Sequence, residues 1–423
     1  MPEPEPAPST ADLVRIFGRI GLLSFGGPAA QIALMHRELV DRLKWLTERQ
    51  FLGALGFCML LPGPEAMQLA SYAGWRLGGV RGGLIAGGLF VLPGAVVILA
   101  LSIVYAWFGQ APVVAALFLG IKAAVVVIVI EALLRLARRA LGKAESWVVA
   151  GLAFLGIFLL ALPFPLIVAL AALWGFARAR GEATASPAPP RAAARTWRTV
   201  ALWGGLWLGP VTALWLAYPG VYAEIALFFS KLAVVTFGGA YAVLAYMTQH
   251  VVQEQGWITT GEMIDGLGLA ETTPGPLILV TQFVGFLAAF REHGLWGGMA
   301  GAALTLWVTF VPCFLWIFAG APHIERITAQ PRLAGALTAV TAAVVGVVLN
   351  LSLWFAAHVF FADVALARFG PFQMLVPDWE SLSLPAVAIA ALSGTLLLAR
   401  HWPLPAVLGV AALAGLGLAE LTL

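Results

Sequence analysis

Apolar residues fill this chain in blocks too long for a soluble core, and the polar stretches between them are short. Gly82–Trp107, Ala111–Leu134 and Arg332–Phe355 are each long enough for a helix to cross a hydrocarbon core of roughly 30 Å. Other apolar blocks are cut internally by glycine and proline. The pattern predicts helices over 11–25 and 28–42 around a break at Phe25-Gly26-Gly27, then 48–61 and 64–76 around a break at Pro62-Gly63-Pro64. Four crossings follow, at 82–108, 113–136, 146–161 and 165–177. After one further crossing over Trp197–Tyr218, hairpins within 222–291 precede crossings near 296–318, 333–357, 384–400 and 404–420.

The second half repeats the first. Ser24-Phe25-Gly26-Gly27 returns as Thr236-Phe237-Gly238-Gly239, and Pro62-Gly63-Pro64 as Pro274-Gly275-Pro276, both 212 residues later. Between the motifs Ala30, Met35, Val40, Trp45, Thr47 and Gly56 recur at the same offset, as Ala242, Met247, Val252, Trp257, Thr259 and Gly268. An internal repeat with broken helices is the pattern of a secondary transporter.

Composition agrees: 61% of residues are hydrophobic, only 11% are charged, and the mean hydropathy is +0.93. These values indicate a polytopic membrane protein. The proline-rich acidic start has neither the cationic segment nor the cleavable apolar region of a signal peptide. Net charge, +3, says little, but its distribution says more. Basic residues mark cytoplasmic loops, and they cluster at Arg37–Arg49, Arg135–Lys143 and Arg178–Arg198. The repeat counterpart of the first cluster, His250–Glu262, has no Lys or Arg, and Phe361–Ser383 carries only Arg368 beside three carboxylates. The two halves therefore run in opposite directions. If each broken helix were instead one full crossing, the Arg135–Lys143 cluster would fall outside; re-entrant hairpins keep it inside and are preferred. The expected fold is an all-α polytopic membrane protein of two inverted-topology repeats. Each repeat has two re-entrant hairpins and about four transmembrane helices, and one extra helix joins them. The expected divisions are a tail over 1–10, a first repeat over 11–178, a cytoplasmic linker over 179–198, a connecting helix over 199–220 and a second repeat over 221–423.

Irregular backbone at membrane depth must be buried in protein or line a polar cavity. Pro28, Pro64 and Pro276 each open a helix after a break, a position where a missing N–H costs nothing. Such helix starts offer free N–H groups and a positive dipole end to an anion. Arg19 and Lys231, each five residues before its Ser24 or Thr236 equivalent, and Lys122 are cations at membrane depth, where charge is usually functional. For Lys122 an ion pair with Glu131 on the same helix is the structural alternative. The candidate substrate-binding residues are thus Arg19, Ser24, Gly26, Gly27, Pro62, Gly63, Pro64, Gln68 and Lys122 in the first half. In the second they are Lys231, Thr236, Gly238, Gly239, Thr272, Thr273, Pro274, Gly275 and Pro276, with Gln282 and Asn350 as weaker neighbours. Glu65 and Glu271, beside the second breaks, are candidates for proton coupling, with helix capping as the alternative role.

Six scattered histidines and two distant cysteines, Cys58 and Cys313, give no metal spacing and no expected disulfide. Neither a catalytic nor a cofactor motif is present, and no nucleic-acid partner is expected. A homo-oligomer is left open.

Ser24–Pro28, Cys58–Glu65 and Leu269–Pro276, with matching patterns over Lys231–Tyr246, Thr305–Pro322 and Gly120–Val126, resemble the chromate ion transporter family, in its long, two-domain form. The linker and residues 358–423 match less well. The resemblance implies a carrier in the cytoplasmic membrane of a bacterium that exports chromate, driven by membrane potential or a proton gradient. It leaves sulfate, a tetrahedral dianion of similar size, as the rival substrate. A passive anion channel and a chromate-reducing enzyme are the rival functions.

Overall fold

The computed structural model describes residues 8–179, 190–237, 240–324 and 330–421. Its helices are, in chain order, α1 (Thr10–Leu23), α2 (Gly27–His36), α3 (Glu48–Cys58), α4 (Glu65–Phe108), α5 (Pro112–Ala140), α6 (Ala144–Leu160), α7 (Phe164–Arg178) and α8 (Pro190–Ala217). There follow α9 (Val221–Val235), α10 (Ala240–Thr248), α11 (Thr260–Thr272), α12 (Val280–Gly320), α13 (Pro331–Phe360), α14 (Leu384–Gly394) and α15 (Leu404–Leu421). Among the described residues five helices are long and apolar enough to cross a membrane, and four more apolar helices are shorter. The chain is an all-α polytopic membrane protein, with helix boundaries close to those the apolar pattern predicts.

Two compact units share the chain. One comprises Met1–Ala100, Glu182–Gly239 and Thr273–Pro331, the other Leu101–Gly181, Ala240–Thr272 and Arg332–Leu423. Each draws on both halves of the sequence, so the compact units are not the sequence halves.

In the first unit α4 and α12 are bent at glycine. Gly79 (φ 62°, ψ −153°) and Gly294 (φ 65°, ψ −160°) adopt nearly the same conformation, one that side chains with a Cβ avoid. The arms on either side of each bend fold back on one another through glycine. A Cβ on Gly74 would overlap the Gly82 carbonyl, and one on Gly301 the Gly285 carbonyl. The short return helix expected over 64–76 is thus the first arm of α4. Phe17, Phe90, Phe229, Phe283 and Phe286 are fully buried and fill this unit's core.

In the second unit α5 lies against α14 and α15. Gly120 and Gly415 allow backbone approach between α5 and α15, since a Cβ on either would meet the other helix's main chain. The stretch 361–383, expected only as a polar loop, contains a two-stranded antiparallel hairpin, β1 (Val364–Phe369) and β2 (Phe372–Pro377). The strand formers Val364, Leu366, Phe369, Phe372, Leu375 and Val376 on either side of a Gly370-Pro371 turn, with Gly370 at φ 60°, account for it.

Fine structure recurs at the 212-residue offset. Both α2 and α10 continue into a π-helical turn, at Arg37–Arg42 and Gln249–Glu254. Positive φ follows at Lys44 (51°) and at its counterpart Gly256 (63°). Thr47 and Gln50 then form a capping box that opens α3, and Thr259 and Glu262 one that opens α11.

Candidate functional site

All described parts of the four helix breaks belong to the first unit, and they are tied together in pairs. The Gly63 N–H donates to the Thr236 carbonyl at 2.8 Å, and the Gly275 N–H donates to the Ser24 carbonyl, also at 2.8 Å. Each proline break thus closes on the glycine break of the opposite sequence half. This reciprocal clasp satisfies irregular main chain that would otherwise be orphaned away from water. Glycine is required at both donors, at φ 118° for Gly63 and 93° for Gly275. Gly94 on α4 provides clearance for the second clasp, because a Cβ there would overlap the Pro274 carbonyl oxygen.

Buried glutamines brace the same backbone. Gln31 donates from Nε2 to the Gly275 carbonyl at 2.7 Å, Gln68 to the Pro62 carbonyl at 2.6 Å, and Gln282 to the Ala95 carbonyl at 3.0 Å. In all three the side-chain carbonyl oxygen has no protein partner, leaving an acceptor for water or a protonated ligand. Ser24 and Thr236 are buried as expected, but their hydroxyl protons are committed. Ser24 donates to the Ile20 carbonyl at 2.6 Å and Thr236 to the Leu232 carbonyl at 2.5 Å. These hydroxyls give an oxyanion no proton in this conformation. Thr272 likewise donates to the Leu269 carbonyl, and Thr273 is buried.

The start of α2 lacks a side-chain cap. Gly26 caps it in the left-handed region without a side-chain bond, Pro28 sits in the first turn, and Ala29 and Ala30 are exposed. The first-half residues Pro62, Gly63, Pro64 and Glu65 are partly exposed, whereas Pro274, Gly275 and Pro276 are buried. Gly238 and Gly239 lie outside the described residues. Arg19 and Lys231 are exposed on the first unit, turned away from the face of α1 or α9 that is buried, so the structure does not gather them at the clasp.

The other charged candidates are in the second unit. Lys122 on α5 pairs with Asp265 on α11 at 3.2 Å, and Tyr105 donates to the other Asp265 oxygen at 2.7 Å. Glu131, the partner suggested by sequence, instead pairs with Arg135 at 2.9 Å, one helical turn away. Glu271 is 4% exposed and accepts a 2.6 Å hydrogen bond from Tyr241. Asp265 is the residue that repeat-based reasoning misses, because its counterpart is Gly53. The signal that marks Lys122, a charge inside an apolar helix, would have found it.

Comparison with known proteins places the chain as a whole. A family described as "Chromate transporter" matches residues 11–176 and 223–416. The chain belongs to the chromate transporter family. It is 34% identical to the chromate transport protein of Pseudomonas aeruginosa over 355 residues, covering 81% of this chain and 80% of that one. A probable chromate transport protein of Synechococcus elongatus is 28% identical over 410 residues, with 97% and 96% covered. The chromate transport protein of Cupriavidus metallidurans is 29% identical over 349 residues, with 81% and 82% covered. No solved structure matches the chain.

Proposed function

We propose that this protein is a secondary carrier that exports chromate from the bacterial cytoplasm by alternating access, and so confers chromate resistance. The reciprocal clasp between duplicated breaks carries the reading. It supports two related main-chain crossings, each built from one break of either sequence half, beside a helix start without a side-chain cap that suits an anion. Opposite loop charges support inversion of the halves in the cytoplasmic membrane. In this reading the main chain of both breaks and Gln68 meet the dianion, Arg19 and Lys231 attract it from the exposed faces of α1 and α9 without sitting at the clasp, and Glu65 and Glu271, each within its own unit, are the groups that take up or release protons. Export moves two negative charges out of a negative-inside cell, favoured by about 4.6 kcal/mol per 100 mV. The potential alone is therefore a sufficient drive, and a proton gradient adds to it.

Chromate uptake into everted membrane vesicles tests the proposal. Arg19→Gln and Lys231→Gln are each expected to lower uptake at least tenfold; normal rate and affinity in both would remove these cations from the site. Excess sulfate that abolishes chromate uptake would reassign the substrate as sulfate. Recovery of chromium(III) from the vesicles would indicate an enzyme, and non-saturating currents a channel. Unchanged pH dependence in the Glu65→Gln, Glu271→Gln double variant would remove the coupling role.

A further inference from the structure

The second unit carries a half-open pocket of about 390 Å³ that is distinct from the helix breaks, with Arg368 at its exposed side. Its roof is one face of the β-hairpin. Side chains alternate along a strand, and Val364, Leu366 and Arg368 of β1 line the cavity together with Gln373 and Leu375 of β2. Arg368 and Gln373 stand directly opposite each other in the hairpin register. The walls come from α10 and its π-helical extension, with Thr248, Gln249 and Gln253, and from α13, with Asn350 and His358.

The chemistry of the lining is one-sided. Arg368 is the cation, and no carboxylate is among the lining residues; Asp363, Asp378 and Glu380 of the same loop do not reach the cavity. Among the described residues Arg368 has no carboxylate within ion-pair distance. Thr248 is 3% exposed, and its hydroxyl has no protein partner; the Gln249 side-chain carbonyl oxygen is likewise buried and unpaired. A native interior rarely leaves such groups unsatisfied. Turning the Gln249 amide over would offer an N–H donor in place of that oxygen. A guanidinium with hydroxyl and amide donors around it, and no competing negative charge, is a set suited to a tetrahedral oxyanion. Both segments that contribute, 249–260 and 364–375, belong to the loops whose scarcity of Lys and Arg assigns them to the non-cytoplasmic side.

We infer that this cavity is a second oxyanion site, on the non-cytoplasmic face, that holds the exported dianion or its external analogue. The inference rests on the carrier reading but uses none of the residues of the helix breaks. Its test is equilibrium dialysis of radiolabelled sulfate and of chromate against the purified full-length protein in detergent, beside chromate quenching of tryptophan fluorescence. Trp354 lines the cavity, and its ring centroid is 4.3 Å from that of His358. The part of the quenching lost in Trp354→Phe therefore reports this site. Wild type is expected to bind two anions per chain. Arg368→Gln should weaken one of them at least tenfold and remove the Trp354-dependent quenching, while Arg368→Lys retains most of both. Gln373→Glu, which places a carboxylate opposite Arg368 on an exposed hairpin and leaves the helices untouched, should do the same as Arg368→Gln. Binding and quenching as in wild type in both Arg368→Gln and Gln373→Glu would overturn the inference, as would a single anion per wild-type chain that is lost only in Arg19→Gln or Lys231→Gln. If wild type binds no anion at all, this inference and the carrier reading fall together.

Discussion

Replacing Gly94 with alanine is the smallest change that should disable the clasp. The added Cβ would overlap the Pro274 carbonyl oxygen, stand 2.6 Å from Leu279 Cδ1 and lie 3.1 Å from the Pro274 carbonyl carbon. Two of these three contacts are with main chain, which cannot rotate away, so either α4 or the Pro274–Pro276 break must shift. Overpacking of a filled interior costs about 1–3 kcal/mol. If the shift also parts the Gly275 N–H from the Ser24 carbonyl, the buried unpaired groups cost about 1–3 kcal/mol more. Gly88 lies on the same helix, and a Cβ there meets nothing within 4 Å. Gly88→Ala is therefore the matched control, expected to be neutral or to stabilise by up to about 1 kcal/mol through helix propensity. The measurement is the fraction of monodisperse protein left after graded heating in detergent, beside chromate uptake by everted vesicles. Gly94→Ala should melt earlier than wild type and lose most uptake, while Gly88→Ala retains both. Equal stability and uptake in the two variants would show that the approach of α4 to the break carries no weight.

Three further outcomes follow from local geometry. Lys44 holds φ 51° where its counterpart Gly256 holds 63° in open space; Gly256→Ala should cost about 1 kcal/mol in thermal stability and Lys44→Gly should gain a similar amount, and opposite signs would refute the backbone argument. Asp265→Asn leaves the Lys122 ammonium without its counter-charge and should destabilise by about 3–5 kcal/mol; the Lys122→Met, Asp265→Leu pair should recover most of that on the same heating assay, and single variants as stable as wild type would show the ion pair to be dispensable. At the end of α2, which is not among the five candidate spanning helices, the Glu48 hydrogen bond and the nearby Glu48 and Asp41 charges raise the His36 pKa above its ordinary value. A raised folded-state pKa means the pair's stabilisation is complete below the unfolded value near 6.5 and fades as pH rises through the folded value. Glu48→Gln should therefore lower the melting temperature at pH 6 and leave it unchanged at pH 9; equal losses at both would exclude the titration.

The parts of the fold that depend on backbone were legible in the sequence, because glycine and proline mark them directly. Breaks at Gly26, Gly63 and Gly275 and the bends that follow Arg76 and Arg291 needed no knowledge of neighbours. Side-chain roles depend on neighbours and were less legible. Ser24 and Thr236 were rightly placed at the breaks, but their position within a final helical turn commits each hydroxyl to a carbonyl four residues earlier. The exposure of Arg19 could have been read from its helix, since Leu13, Ile16, Phe17 and Ile20 already define the buried stripe of α1. The hairpin at 364–377 is hard to read because β1 is apolar at every position but Arg368, so no polar-apolar alternation marks it as a strand.

What the two halves share and where they differ bears on how such a carrier would work. Among the described residues the positive-φ glycines of the proline breaks, the π-helical turns, the capping boxes and the clasp hydrogen bonds are duplicated. Several interior polar side chains are not: at the 212-residue offset Gln31 corresponds to Val243 and Asp265 to Gly53, and at an offset of 219 Lys122 corresponds to Thr341 and Glu131 to Asn350. A perfectly symmetric carrier would have inward-open and outward-open states of equal energy, and a bound ion could shift their balance only through unequal affinity for the two. With much of the main chain and the Arg19/Lys231 pair of cations duplicated, a difference between those states would come from the side chains that are not. In such a carrier, selection on the ion pair of Lys122 with Asp265, and on the cavity beneath Arg368, would change direction and coupling without disturbing the clasp.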